Sequence, residues 1–250
     1  MELVKDKRQL EFIDMIKITT NGTRLNHGNP SLVERLKHVG IDEINISLHS
    51  LSGEGFKDIT SVDALKTVLN GIELAVAVNM GVSINCLIRE ETFSELDKYI
   101  ELSERLGIRI KFFGILDASK AHQDYADGLL ERMKDELMRR TKDYQTYLKP
   151  YGGMLFEIGN AVIDLKDSRV NNCPVTDCKV RDLCLEGCRY HARLSPAGIL
   201  QPCGVRTDNL IDMKDKTVTR DLILEKLING GKILAEHIKG VEYDRNRNKD

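Results

Sequence analysis

Apolar and polar positions along the first 115 residues follow two periods. The short runs IKITT (16–20), INISLHS (44–50), VSINCLI (82–88) and IRIKFFGI (108–115) have the length and composition of strands, and each leads into turn-forming residues. Between them, apolar residues recur at helical spacing. Asn29 and Pro30 read as an N-cap and first-turn pair, opening a helix that Gly40 closes. Ser61 is placed to cap VDALKTVLNGIELAVAVNM, which stops at Gly81. Thr92 with Glu95 three residues later reads as a capping box, and Leu96, Tyr99, Ser103 and Leu106 share one face before Gly107. Strands that alternate with helices in this way predict right-handed βαβ units and a parallel sheet.

After Leu116 the pattern changes. HQDYADGLLERMKDELMRR (122–140) reads as a charged amphipathic helix and MLFEIGNAVIDL (154–165) as a strand pair or hairpin. A hairpin is expected at ARLSPAGILQPC (192–203), then a last helix over roughly 218–238 and a polar tail, EYDRNRNKD. Three regions follow: 1–118, a partial barrel of βα units; 119–172, a helix-plus-strand connector; and 173–250, a cysteine-bearing segment with the C-terminal helix.

At 250 residues and 41% hydrophobic content, the chain can bury a full core without cross-links. Lys plus Arg number 37 and Asp plus Glu 39, so no net basic field indicates nucleic acid or an acidic membrane as partner. No apolar run approaches the ~20 residues of a membrane span, and the N-terminal MELVKDKRQLEF is charged, unlike a signal peptide. The expected compartment is a reducing cytoplasm, where clustered thiols hold metal more often than they pair.

Such a cluster is present. Cys173, Cys178, Cys184, Cys188 and Cys203 are spaced C-x4-C-x5-C-x3-C-x14-C. Thiolates held this close repel unless a cation neutralises them, which points to a metal or iron-sulfur site. Zinc sites usually carry paired C-x2-C knuckles, and none occurs here. The irregular gaps fit a [4Fe-4S] cluster better, with zinc as the alternative metal. Cys86, alone inside a strand pattern, reads as core.

The stretches ITTNGTRL, LKHVGIDEINISLHSLSGEGFKDIT, VLNGIELAVAVNMGVSINCLIRE and LGIRIKF resemble, in that order, the barrel of radical SAM enzymes. They are most similar to the branch that contains the GTP 3′,8-cyclases of molybdenum-cofactor biosynthesis (MoaA-like). CLEGCRYHARLSPAGILQPC resembles that branch's second cluster motif. The resemblance implies an α/β fold: a partial (βα)6, TIM-like barrel lacking its first βα units, followed by an auxiliary iron-sulfur segment. In such an enzyme one [4Fe-4S] cluster cleaves S-adenosylmethionine to a radical, and a second cluster lies by the substrate. Carried over by position, Ser47 falls where the family contacts S-adenosylmethionine and Thr19 at a substrate-pocket position. Cys184, Cys188 and Cys203 fall on auxiliary-cluster ligands, and Arg193 on a basic residue beside them. Asn85 and Arg89, at the C-terminal end of a barrel strand where barrel sites are built, are added as cofactor-side candidates.

The sequence departs from that pattern in three ways. The C-x3-C-x2-C loop of the S-adenosylmethionine cluster and the Gly-Gly-Glu-Pro-like strand are not found, so the chain is expected to be the C-terminal portion of an enzyme, inactive alone. Each auxiliary gap is one residue longer than in the cyclases, and Cys173 and Cys178 have no cyclase counterpart. The C-x5-C-x3-C core resembles instead the SPASM segments of peptide-modifying relatives. Ser83 and His191 stand where the cyclases carry basic residues for the triphosphate, which weakens GTP as substrate. The expected substrate is a nucleotide, a peptide or another small molecule. The edge at IKITT calls for a covering partner, either a second copy or a separately encoded N-terminal portion. The competing reading is a non-enzymatic iron-sulfur or zinc protein on a degenerate barrel.

Overall fold

In a computed structural model, residues 15–114, 120–147, 152–167, 192–202, 210–219 and 221–223 are described. The chain divides into two compact units, Met1–Thr146 with Gly153–Asp167, and Tyr147–Gly152 with Ser168–Asp250.

The first unit alternates as the periodicity requires: β1 (Lys17–Thr20), α1 (Leu32–His38), β2 (Glu43–Ser47), α2 (Gly53–Thr60), α3 (Leu65–Ala77), β3 (Gly81–Leu87), α4 (Glu90–Leu106), β4 (Arg109–Phe113) and α5 (Lys120–Arg140). Then come β5 (Tyr144–Tyr147), β6 (Gly152–Ile158) and β7 (Ala161–Asp167). The sheet order is β1-β2-β3-β4-β7-β6-β5. β1 to β4 and then β7 pair in parallel, so the described sheet is open, with β1 at one edge. β6 and β7 are neighbours joined by a two-residue turn, the hairpin expected at 154–165. Placing β7 beside β4 extends the parallel sheet by one strand.

Alternation of side chains gives the sheet two unlike faces. On one, Ile44, Ile46, Ile84, Cys86, Ile110, Phe112, Ile163 and Leu165 are buried in a core shared with residues of α3, α4 and α5, including Val68, Ile72, Leu96, Tyr99 and Met133. Tyr99 and Phe112 meet edge to face with ring centroids 5.4 Å apart, a contact worth about 1 kcal/mol beyond its area. The other face carries the polar residues of the same strands.

Three helix boundaries differ from the sequence reading. Ser31, not Asn29, caps α1: its Oγ accepts from Glu34 N–H at 3.2 Å while the Glu34 carboxylate accepts from Ser31 N–H at 2.7 Å. Ser61 ends α2 in a left-handed conformation (φ 61°), and α3 begins after Ala64 with no side-chain cap. Helix α2 itself, capped by Ser52, is additional to the expected elements. At α4 the helix starts earlier than expected, and Arg89 N–H donates to Thr92 Oγ1 at 3.0 Å. Glu95 is thereby released for a tertiary role. Gly107 closes α4 in the left-handed region, as expected.

In the second unit, β8 (Arg193–Leu194), β9 (Ile199–Gln201) and β10 (Ile211–Asp212) form an antiparallel sheet in the order β10-β9-β8. The expected hairpin is present, turning through Gly198 (φ 85°). Residues 221–223 are helical, whereas 218 and 219, at the start of the expected last helix, are not; the rest of it lies outside the described residues.

Candidate active site

The polar face of the parallel sheet is built in rows. Thr19, Asn45, Ser83 and Arg109 are register partners across β1 to β4, and one step nearer the C-terminal strand ends Ser47, Asn85, Lys111 and Asp164 form the next row across β2, β3, β4 and β7. Parallel strands direct all their C-terminal ends to one side, and in α/β folds ligands bind there.

The first row and the residues beneath it are knitted by charge. Glu43 accepts from Ser83 Oγ at 2.7 Å, pairs with Lys17 Nζ at 2.7 Å and with Lys111 Nζ at 3.3 Å. Lys111 Nζ also donates to Asn45 Oδ1 at 2.7 Å, and Ser83 Oγ meets the same Asn45 oxygen. Burial alone would raise the Glu43 carboxyl. The hydrogen bonds from Lys17 and Ser83 and the charges of Lys111 and Lys17 outweigh it and bring the group down to about 2. Burial lowers Lys111, against the opposing pull of Glu43. Further along the sheet, Lys166 and Asp164 pair at 2.8 Å. Below, at the N-terminal strand ends, an open groove of about 630 Å³ is lined by residues including Lys17, Glu43, Gly81 and Arg109.

The strand ends are held from behind by α4. Glu95, buried at 6% exposure, accepts from Ser50 Oγ at 2.8 Å, Leu51 N–H at 2.7 Å and Ser52 N–H at 3.0 Å. One turn later Tyr99 Oη donates to Leu48 O at 3.0 Å. The segment after β2 is thus fixed immediately beyond Ser47. His49 Nδ1 accepts from Leu87 N–H at 3.2 Å, which joins the ends of β2 and β3 and leaves the ring proton on Nε2. Burial, and then the Arg89 charge, push His49 below the usual imidazole range.

Of the sequence-selected residues, Ser47 and Asn85 stand directly opposite each other, and Thr19 lies one row back on the edge strand. Among the described residues, Asn85 Oδ1 is buried without a hydrogen-bond partner. Arg89 lies just beyond β3 as the N-cap of α4, paired with Glu91 at 2.9 Å. Arg193 is exposed on β8, in register with Gln201 in the second unit. Cys173, Cys178, Cys184, Cys188, Cys203 and His191 lie outside the described residues. Cys86 is core, as expected. Glu43, Asn45, His49 and Lys111 were not singled out by sequence, and Glu95 was read only as part of a capping box. The signal for the first three was present: in EINISLH every second residue is polar. Among the described residues no helix is long and apolar enough to cross a membrane.

Comparison with known proteins gives a consistent result. A model of the radical SAM superfamily matches residues 1–103. The chain is 31% identical over 226 residues to a probable GTP 3′,8-cyclase of Saccharolobus islandicus, a match that covers 86% of this chain and 66% of that protein. It is 26% identical over 251 residues to a GTP 3′,8-cyclase of Clostridium acetobutylicum, covering 98% and 74%. The chain therefore spans 66% of the length of the first of these relatives. Among solved structures it resembles Streptococcus suis SuiB bound to S-adenosylmethionine, with a TM-score of 0.52 at 14% identity, covering 87% of this chain and 49% of that one. That likeness is one of fold.

Proposed function

The chain belongs to the radical SAM superfamily, and from that premise we propose that it is the substrate-side portion of a MoaA-like radical enzyme. In this reading the C-terminal ends of β2 and β3 face S-adenosylmethionine, and the cysteine segment, with four of its five thiols enough for full ligation, holds an auxiliary [4Fe-4S] cluster. The family implies both an iron-sulfur cluster and S-adenosylmethionine. The latter, reductively cleaved at a cluster, supplies a hydrogen-abstracting radical.

The observation that carries the reading is the Ser47–Asn85 pair. Asn85 Oδ1 is a buried acceptor with no partner among the described residues, a state that costs about 1–3 kcal/mol unless a donor arrives. S-adenosylmethionine brings an ammonium group and ribose hydroxyls, so the residues present fit it. Ser47, opposite Asn85, adds a hydroxyl that can donate or accept. Glu95 and Tyr99 keep the backbone at Leu48–Ser52 from yielding, so these groups orient a ligand without first being ordered. The donor set of the cysteine segment, soft thiolates with irregular gaps, suits iron-sulfur ligation. The substrate is a small molecule or a peptide.

The test is direct binding of S-adenosylmethionine to the chain, read by saturation-transfer NMR. Transfer to the adenosyl protons is expected in the wild type and is expected to vanish in Ser47→Tyr, which fills the space beside Asn85. No transfer in the folded wild type, or equal transfer in Ser47→Tyr, would overturn the assignment of this face.

A further inference from the structure

Lys111 shares a row with Ser47 and Asn85, yet its ammonium is turned away from the strand ends. Its Nζ lies 2.7 Å from Asn45 Oδ1 and 3.3 Å from Glu43 Oε1, both one or more rows toward the N-terminal ends, and only 12% of its side chain is exposed. Glu43 engages Lys17 in the same way, at 2.7 Å. Ser83 adds its hydroxyl to Glu43 in place of a cation. Lys166, in the row beyond Lys111, pairs with Asp164 at 2.8 Å and is 14% exposed. Arg109 is exposed, at the far, N-terminal end of β4.

We propose that Glu43 is a specificity-determining residue: by holding Lys111 and Lys17 in ion pairs away from the strand ends, it makes this face a site for substrate groups without a polyphosphate. The inference rests on the reading of the face given above, and it sets this chain apart from what the names of its GTP 3′,8-cyclase relatives suggest. A triphosphate carries three to four negative charges and needs several cations free to meet it. Here each of the three lysines named on the face is held by a carboxylate, Lys17 and Lys111 sharing Glu43 and Lys166 taking Asp164. Drawing Lys111 away from its partly buried pair would leave Glu43 with Lys17 alone, and the carboxylate would oppose the incoming charge as the contact is lost. The lowered pKa of Glu43 keeps its charge in place throughout the neutral range. Neutral or cationic groups, such as amides, hydroxyls or amines, meet no such penalty.

The test titrates GTP and, separately, inorganic tripolyphosphate into the chain by calorimetry with magnesium present. The wild type is expected to show no saturable binding below about 1 mM that depends on Lys111 or Lys17. Binding that is unchanged in Lys111→Met and Lys17→Met also supports the inference, because it lies off this face. Binding weakened tenfold or more by either substitution overturns it. Folded Glu43→Gln is expected to gain at least tenfold for both ligands, and that gain should disappear in Glu43→Gln with Lys111→Met. Folded Glu43→Gln without the gain removes the role assigned to Glu43, and the wild-type titration stands even where that variant does not fold. Failure of the wider reading shows separately, as absence of S-adenosylmethionine contact at Ser47, whatever GTP does.

Discussion

Glu95 of α4 accepts a hydrogen bond from Ser50 Oγ at 2.8 Å, a contact between residues 45 positions apart that ties a helix to the loop following the neighbouring strand. With the amides of Leu51 and Ser52 on the same carboxylate, it turns a loop into a fixed wall beside Ser47. The polar face owes its geometry to this bond as much as to the strands.

Removing the Glu95 carboxylate takes a charged acceptor from three donors; Ser50 and Ser52 keep hydrogen bonds to each other, and the Leu51 amide is left unmatched. Glu95→Ala is expected to cost about 2–4 kcal/mol, read as a lower urea midpoint at unchanged slope. Glu95→Gln, which keeps one acceptor oxygen, is expected to cost less. A loss below about 0.5 kcal/mol for the alanine variant would show that the clamp is dispensable.

Glu43 makes stability depend on acid. Its folded-state value of about 2 lies below the ordinary 4.5, so its contribution is complete above pH 4.5 and is lost as pH falls from there toward 2. The side chain keeps contact with solvent at 17% exposure, and screening limits the effect to about 1–2 kcal/mol. Denaturant melts between pH 6 and 3 should show that loss in the wild type and a flatter profile in Glu43→Gln. Parallel profiles would contradict the network.

Much of this was legible in the sequence, and what escaped has a common cause. The strands were found because β-branched runs report burial locally, and α4's inward face because Leu96, Tyr99 and Ser103 repeat at helical spacing. Ser47 and Asn85 were found through resemblance and strand-end position. The partners of Lys111 were invisible, since RIKFF gives no hint that a lysine will reach across β3 to Asn45 on β2. Glu95 was misread for the same reason: it satisfies a local capping pattern, but its hydrogen-bond partners lie in a loop more than 40 residues away. Helix α2 was masked by Gly53 and Gly55, which lower helix propensity. Gly55 is needed there because a Cβ would come within 2.6 Å of Ser50 Oγ.

Cys86 should be chemically silent. Burial pushes its thiol up to about 12, and its Sγ lies 3.3 Å from Tyr99 Oη within the core. Alkylation of the folded chain at pH 8, mapped by peptide mass spectrometry, is expected to leave Cys86 unmodified until denaturant is added. Labelling within minutes under native conditions would contradict its place in the core.

Gly22, in the turn after β1, combines φ 77° with Ile46 Cγ2 and Val68 Cγ1 each 3.0 Å from where a Cβ would stand. Gly22→Ala is expected to cost about 1–3 kcal/mol through backbone strain and overpacking. A neutral thermal shift would refute the tight approach of that turn to β2 and α3.

The central claim, that the cysteine segment holds an auxiliary iron-sulfur cluster in a radical SAM protein, is tested most directly by reconstituting the chain anaerobically with iron and sulfide and measuring bound iron, acid-labile sulfide and zinc. The account predicts about four irons and four sulfides per chain, lost when Cys184, Cys188 and Cys203 are replaced together by Ala. Zinc bound without sulfide would contradict it.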